Sequence, residues 1–263
     1  MNPWVLFLSA WLAAAVLMLA IWLLQRATGN AGFVDVAWTL GVGTLAVFFA
    51  VVETEGDIAR RWIVAVLAGA WALRLAGHIL WRVLTTPEDG RYVALKKQWG
   101  PSAQWRLLLF YQYQALGCVL FAVPMWIAAR NQAPLGWLDG LAVAIWLMAI
   151  GGEALADWQL SRFRLRTKER GKVCRDGLWR YSRHPNYFFE WLHWWCYVAL
   201  AIAAPWGWVT LLGPLAMYYF ITRVTGIPPT EAQAVQSRGA AYREYQRTTS
   251  PFFPWPPKPS TPE

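Results

Sequence analysis

Long apolar runs separated by short polar connections account for most of the chain. They predict helices at 4–24, 33–52, 63–84, 107–129, 135–158, 187–204 and 206–222. The first run has 21 residues without a charge, and at about 1.5 Å per residue it spans about 31 Å, close to the hydrocarbon core of a bilayer. Because no basic residue precedes this run and it exceeds the length of a signal peptide's apolar region, we expect a helix of the mature protein. The last two runs predict a tight helical hairpin or one broken helix.

Composition supports a membrane protein. Apolar residues make up 57% of the chain and charged residues 15%, whereas soluble domains have roughly 45–50% and about 25%. The three cysteines lack the spacing of a disulfide framework or a zinc site, so no metal is expected. The basic residues lie beside apolar runs, which favours membrane topology over nucleic-acid binding. We therefore predict an all-α, polytopic integral membrane protein with about seven transmembrane helices in one domain, 1–263.

The distribution of basic residues predicts the orientation. Between positions 159 and 183 nine basic residues accompany two acidic ones, so this connection is expected in the cytoplasm. The N-terminus then lies outside and the tail, 223–263, inside. In the tail, Thr230 and Gln233 match a capping box, which predicts a helix from there to about Gln246. The segment 250–257, rich in proline and aromatic residues, is expected to lie against the protein body or the membrane interface.

Ionisable residues inside apolar runs are costly and often functional. Asp35 is expected in the outer or middle part of the second span, where its apolar neighbours offer it no local partner. Arg74 and His78 are four residues apart on the third span and share a helix face. These three are candidate catalytic residues, and a structural pair with Asp35 is the alternative for Arg74 and His78.

Glu153 and Asp157 form a second candidate group, near the cytoplasmic end of the fifth span. Two acids at this spacing repel each other and oppose the helix macrodipole, so local stability does not explain them. We expect them to bind polar groups from elsewhere in the chain. A hydrated helix end is the alternative.

The densest group of polar residues occurs where the 159–183 connection enters the sixth span. A helix N-terminus with nearby arginines can bind a polyanion such as a nucleotide pyrophosphate. Topology alone would not explain an Asn and a Glu four residues apart in an apolar helix. A Gly-x-Gly-x-x-Ala pattern at 41–46 lies inside an apolar run and predicts helix packing. The residues of the polar group are Arg180, Arg183, His184, Asn186, Tyr187, Glu190 and His193.

The Arg183-His-Pro-Asn-Tyr187 segment resembles the superfamily of membrane steroid 5α-reductases, sterol reductases and isoprenylcysteine carboxyl methyltransferases. The likeness is greatest to the steroid 5α-reductases. It implies NADPH contacts at residues that follow the family spacing. In the N-terminal half, Asp35 stands in a Gln-Glu position of the family, and Arg74 and His78 lie where a Tyr is expected. The implied cofactor residues are Glu153, Asp157, Arg164, Asn186, Glu190, Arg223, Tyr242 and Tyr245.

The resemblance implies NADPH-dependent reduction of the 4,5 double bond of a 3-oxo-4-ene steroid or similar enone taken from the bilayer. Asp35 would act near the C3 oxygen, as a protonated acid or as the group that orients another donor. We expect a monomer in a bacterial inner membrane, with the cofactor site facing the cytoplasm and NADPH preferred to NADH. The alternatives are a methyltransferase that uses S-adenosylmethionine and a non-enzymatic lipid-binding protein.

Overall fold

The structure is a computed structural model, and it describes residues 2–167 and 171–259. Within those ranges the regular secondary structure is helical, and the chain forms no β-strand. The α-helices are α1 (Pro3–Thr28), α2 (Phe33–Val52), α3 (Ile58–Thr85), α4 (Gly90–Trp99), α5 (Ala103–Ala129), α6 (Trp137–Arg166), α7 (Pro185–His193), α8 (Trp195–Ala201), α9 (Leu212–Tyr219), α10 (Ile227–Arg238) and α11 (Ala240–Thr248).

Among the described residues, five helical segments are long and apolar enough to cross a membrane. They are α1, α2, α3, α6 and the segment Gly90–Ala129, which contains α4 and α5. The first five predicted runs are therefore confirmed as helices, and the predicted bounds of α2 coincide with the observed ones. The chain also divides into two compact units. Unit 1 contains the described residues of 1–139 and 197–210, and unit 2 those of 140–196 and 211–263.

In unit 1, α2 packs against both α3 and α5. Small residues make this close approach possible, because a Cβ on Gly43 would lie 2.2 Å from the Cβ of Ala72 in α3. A Cβ on Gly41 would lie 2.7 Å from the sulfur of Cys118 in α5. The glycine pattern at 41–46 therefore serves helix packing, as predicted.

A buried ion pair fixes the connection between α5 and α6. The guanidinium of Arg60, in α3, donates to both carboxylate oxygens of Asp139 at 2.7 and 2.9 Å. Its remaining N–H groups donate to the carbonyl oxygens of Asn131, Ala133 and Pro134. A buried charge is tolerated when it is paired and hydrogen-bonded in this way. Arg60 therefore holds the segment 131–139 in one conformation.

Two polar segments predicted as loops contain helix. The helix α4 occupies the middle of the connection between the third and fourth runs, and the Asp89 side chain caps it by accepting from the Arg91 N–H. Helix α6 continues beyond Asp157 to Arg166. Glu153 and Asp157 therefore lie inside α6 rather than near its end, so the predicted position was wrong and the macrodipole argument does not apply to them.

The two last apolar runs are broken rather than continuous helices. The first is interrupted at Trp194, between α7 and α8. After a turn in which Trp206 has a φ of 62°, the second begins as a 3-10 helix, Gly207–Leu211. It continues as α9 and ends in the π-helical turn Phe220–Val224. A Cβ on Gly207 would lie 2.0 Å from the carbonyl oxygen of Ala201, so only glycine fits this tight turn.

The capping box predicted at Thr230 was wrong. Helix α10 begins three residues earlier, at Ile227, and the Thr230 N–H donates to the carbonyl of Gly226. Pro228 and Pro229 lie in the first turn, where a missing N–H removes no helical hydrogen bond. The single predicted helix is also divided, because Gly239 adopts a φ of 55° between α10 and α11.

Residues 250–258, which we call the aromatic strap, pack against the rest of unit 2, as predicted. The carbonyl oxygen of Ser250 accepts from the Arg183 N–H at 2.8 Å, and that of Phe252 accepts from the Ser182 hydroxyl at 2.8 Å. The Phe252 ring is buried and lies 5.8 Å from the ring of Trp191 in α7. The strap is therefore held by main-chain hydrogen bonds and by aromatic packing.

Candidate functional site

The segment that enters α7 is tied to the tail through Glu231 in α10. The Arg183 guanidinium donates to Glu231 Oε1 at 2.6 Å, and His184 Nε2 lies 3.2 Å from the same oxygen. The Gln246 side chain donates to Glu231 Oε2 at 2.8 Å, and the Tyr242 hydroxyl to Oε1 at 3.5 Å. Two further bonds from Arg183 reach the carbonyl oxygens of Gln246 and Thr249. Glu231 therefore accepts from four side chains of unit 2.

The surroundings of Glu231 favour its ionised form. Burial alone would raise the pKa of this carboxyl, but hydrogen bonds from His184, Arg183 and Gln246, with the charge of Arg183, lower it to about 2. Burial lowers the pKa of His184 below its usual value, although Glu231 opposes that shift. The arrangement is therefore an Arg183–Glu231 ion pair beside a neutral imidazole.

Arg183 and the tail tyrosines serve this structural network. Arg183 is buried, and its bonds to Glu231 and to two carbonyls occupy the guanidinium that was predicted to bind the cofactor. Tyr245 is also buried, and its hydroxyl donates to the carbonyl oxygens of Trp179 and Ser182. Nearby, the ring of Tyr187 stacks on His184 with centroids 5.4 Å apart. These residues hold the tail in place.

A second polar group of unit 2 lies between α6 and α7. The Asn186 side chain lies 3.4 Å from Asp157 Oδ1, so the structure brings two predicted cofactor residues together. Glu153, Asp157 and Glu190 are all buried. Glu190 Oε1 accepts from the indole N–H of Trp194 at 3.3 Å. Buried carboxylates and an amide of this kind can bind hydroxyl and amide groups of a ligand.

Three other predicted cofactor residues, Arg164, Arg180 and Arg223, are exposed. Their guanidinium groups could contact phosphate oxygens in the two-point geometry that arginine favours. Metal binding has no comparable support, because residues 2–167 and 171–259 contain no group of three His, Cys, Asp or Glu side chains placed to hold an ion.

Unit 1 contains its own polar cluster, around Asp35. The hydroxyl of Tyr92 donates to Asp35 Oδ1 at 2.7 Å, and Arg91 Nη2 lies 3.3 Å from Oδ2. Arg91 also donates to both carboxylate oxygens of Asp89. Arg82 Nη2 lies 3.3 Å from Asp89 Oδ2. Burial would raise the pKa of Asp89, but the charge of Arg91 and its hydrogen bonds keep it below its usual value.

The structure adds two features to the predicted surroundings of Asp35. Asp35 has two partners, Arg91 and Tyr92, which the sequence separates from it by more than fifty residues. It also lies in the first turn of α2, beside the connection from α3 to α5, and not in the middle of that helix. Arg74 and His78 are half-buried on α3, and the His78 ring lies 6.3 Å from that of Trp81.

Arg91 and Tyr92 were not among the predicted site residues. Their signal is Glu88-Asp-Gly-Arg-Tyr92, in which a capping Asp precedes a short helix and a buried aromatic residue follows within that helix. Glu88 contributes as well, because its Oε1 accepts from the Ala31 N–H at 2.6 Å and from Lys96 at 2.7 Å. These bonds attach the turn before α2 to α4 and thereby bring Tyr92 to Asp35.

Comparison with known proteins identifies the family. Residues 21–249 match the model of a family described as "Protein of unknown function (DUF1295)". The chain belongs to the DUF1295 family. This family includes steroid 5-alpha-reductase-like proteins. An uncharacterised protein of Schizosaccharomyces pombe is 26% identical over 287 residues, which cover 96% of this chain and 80% of that protein. No solved structure matches the chain.

The DUF1295 match contains the three polar groups described above, around Asp35, Asp157 and Glu231. Asp35 and Tyr92 of unit 1 lie within it, as do Asp157, Asn186 and Glu231 of unit 2. The aromatic strap begins just after the last matched residue. The strap is therefore a feature of this chain beyond the part that matches the DUF1295 model.

Proposed function

We propose that this protein reduces the conjugated double bond of a lipophilic 3-oxo-4-ene steroid or similar enone, with NADPH as cofactor. The observation that supports this function most directly is the hydrogen bond between Tyr92 and Asp35. A phenol next to a carboxylate is a suitable group to bind a substrate carbonyl oxygen. Membership of a family that includes steroid 5-alpha-reductase-like proteins agrees with this chemistry.

The proposal includes seven membrane passes in a bacterial inner membrane, with the N-terminus outside and the tail in the cytoplasm. The five long helices supply five passes, and the broken segments α7–α8 and 207–224 supply the other two. Basic residues support the orientation, because the connection between α3 and α5 and the residues after α6 are both rich in Lys and Arg. In this topology Asp35 and Tyr92 lie at the cytoplasmic end of their helices.

Unit 2 has a donor and acceptor set that suits a dinucleotide. Exposed Arg164, Arg180 and Arg223 can pair with phosphates. The buried Asp157 and the half-buried Asn186 can accept from ribose hydroxyls and bond a carboxamide. When bound, NADPH would supply the hydride. Arg183 has no part in this set, because Glu231 and two carbonyls already bind it.

In unit 1 the roles follow from the contacts of Asp35. Because its oxygens accept from Tyr92 and Arg91, Asp35 acts as a carboxylate that orients the phenol rather than as the donor itself. The Tyr92 hydroxyl can rotate about the C–O bond of the phenol, so that its hydrogen turns from Asp35 to a substrate oxygen. Arg91 then keeps the charge of Asp35 paired. Tyr92 would thereby stabilise the negative charge that develops on the carbonyl oxygen.

Turnover of two variants tests the carbonyl site. We expect Tyr92→Phe and Asp35→Asn to bind NADPH as the wild type does and to slow reduction by roughly 10²–10³, the usual effect of one lost oxyanion donor. Tyr113→Phe is the control, because this tyrosine on α5 is 70% exposed. The assay follows loss of nicotinamide absorbance with a 3-oxo-4-ene steroid. Wild-type rates in Tyr92→Phe would exclude Tyr92 as the donor.

Titration with NADPH tests the nucleotide site separately. Arg164→Ala and Asn186→Ala should each weaken binding by at least ~1.5 kcal/mol, the low end for a lost charge-assisted hydrogen bond. Arg162→Ala is the matched control, since Arg162 lies on the same helix and stacks on Trp158 at 5.0 Å. Binding of S-adenosylmethionine with no affinity for NADPH would reject the reductase and support a methyltransferase.

A further inference from the structure

The aromatic strap combines a fixed backbone with exposed aromatic side chains. Trp255 is 70% exposed and Phe253 47% exposed, whereas Phe252, which packs near Trp191 of α7, is buried. The Trp255 N–H donates to the carbonyl oxygen of Tyr181 at 2.9 Å, and the Lys258 N–H donates to that of Thr248 at 2.8 Å. The exposure of Trp255 is therefore built into an ordered segment and does not come from a loose chain.

The strap extends an apolar surface of α9. The ring of Phe253 lies 5.6 Å from Trp191 in α7 and 6.1 Å from Tyr218 in α9. On α9 itself, Leu215 and Tyr219 are more than half exposed. Exposed apolar side chains on a helix of a membrane protein are covered by lipid. Phe253 and Trp255 add large aromatic rings at the end of that surface.

The charges near the strap complement an anionic surface. The strap contains one lysine, Lys258, and no acidic residue. Lys258 is exposed, and its bond to Thr248 brings it next to Arg247, which is also exposed and pairs with Glu244. Trp and Tyr are enriched where bilayers meet water, and Lys extends its amine from there to phosphates. Anionic lipids add further attraction for basic residues at this depth.

We infer that the aromatic strap is a lipid anchor, which inserts Trp255 and Phe253 into the headgroup layer and directs Lys258 to lipid phosphates. This inference concerns the exposed side chains of the strap, which belong to none of the three polar groups, and it does not depend on the proposed reaction. Its occupant is the anionic phospholipid headgroup. The anchor would fix the tail, and with it α10 and α11, at the membrane surface.

A spin label on Trp255→Cys tests the anchor. The full-length protein is reconstituted in nanodiscs of phosphatidylcholine and phosphatidylglycerol, and collisions of the nitroxide with oxygen and with a water-soluble nickel complex are measured. Gln236→Cys, at an exposed position of α10, is the control. The native cysteines Cys118, Cys174 and Cys196 are buried, so the labelled parent protein gives the background. We expect a label at 255 to meet more oxygen and less nickel than one at 236.

Two outcomes would overturn the inference. Equal nickel access at 255 and 236 would mean that the strap lies in water. Shielding of the label at 255 from both reagents would mean that a protein surface, such as a second copy, covers it. Adding Lys258→Gln to the labelled protein should move the label towards water in the anionic nanodiscs and leave it unmoved in pure phosphatidylcholine. An unmoved label in both would reject phosphate binding by Lys258.

Discussion

Replacement of Glu231 by glutamine should loosen the tail of the protein. The folded protein lowers the pKa of this carboxyl from its ordinary 4.5 to about 2. At 1.36 kcal/mol for each pH unit, this shift corresponds to roughly 3 kcal/mol of stability at neutral pH. If α10 and α11 open locally, the same energy corresponds to a roughly 10²-fold larger open population in Glu231→Gln. The affected main chain should be 182–184 and 246–252, which Arg183 holds together.

Hydrogen exchange followed by mass spectrometry measures this opening in detergent micelles. Peptides from 182–184 and 246–252 should lose protection in Glu231→Gln at pH 7, whereas peptides from α2 should not change. Glu244→Gln is the matched control. Glu244 pairs with the exposed Arg247 on α11, and a surface pair of this kind contributes only about 0–1 kcal/mol. Equal protection in wild type and Glu231→Gln would refute the role given to Glu231.

The pH dependence has a defined sign. A carboxyl whose pKa is lowered on folding stabilises the protein above pH 4.5, and this contribution disappears as the pH falls towards about 2. The difference between wild type and Glu231→Gln should shrink over that range. His184 adds a loss that begins below pH 6.5 in both proteins, because the unfolded histidine takes up a proton that the buried one resists.

Two further pairs of substitutions test the packing of unit 1. Gly43→Ala should lower the melting temperature, because the new Cβ would lie 2.2 Å from Ala72, whereas Gly77→Ala in α3 meets no atom within 4 Å and should be neutral or stabilising by up to about 1 kcal/mol. Arg60→Ala should lower the stability by roughly 3–5 kcal/mol, since it leaves Asp139 buried without its partner. Arg61→Ala, which removes only bonds to carbonyls at the end of α2, should cost less. Thermal unfolding followed by tryptophan fluorescence measures all four, and equal shifts within either pair would contradict the packing described.

The long apolar helices could be predicted because an uninterrupted run of apolar residues can be read from the sequence of that segment alone. The bounds of α2 follow from twenty residues with a single charge between Gly32 and Glu53. Helix α4 could not be predicted in the same way, since it is short and polar. Its position depends on the burial of Tyr92 and on the bond of that residue to Asp35, which are tertiary contacts.

The candidate sites show the same division. The run at 180–190 correctly indicated a concentration of polar residues, and the structure brings Asn186 to Asp157. The assignment of Arg183 to a ligand could not be checked without knowledge of Glu231, which lies 48 residues later in the chain. An arginine in sequence indicates only a positive charge. Whether that charge is available to a ligand depends on whether a carboxylate of the folded chain already pairs with it.

The contacts of the strap also set an order of events during synthesis. Translation proceeds from the N-terminus, so Ser182 and Arg183 leave the ribosome before Ser250 and Phe252 exist. Until those later residues arrive, the Ser182 hydroxyl and the Arg183 N–H lack the carbonyl oxygens that they bond in the finished protein. The entrance to α7 is therefore completed late, after the long apolar helices that precede it. A stop codon before position 250 would leave a chain whose long apolar helices can form but whose Ser182 hydroxyl and Arg183 N–H lack these acceptors.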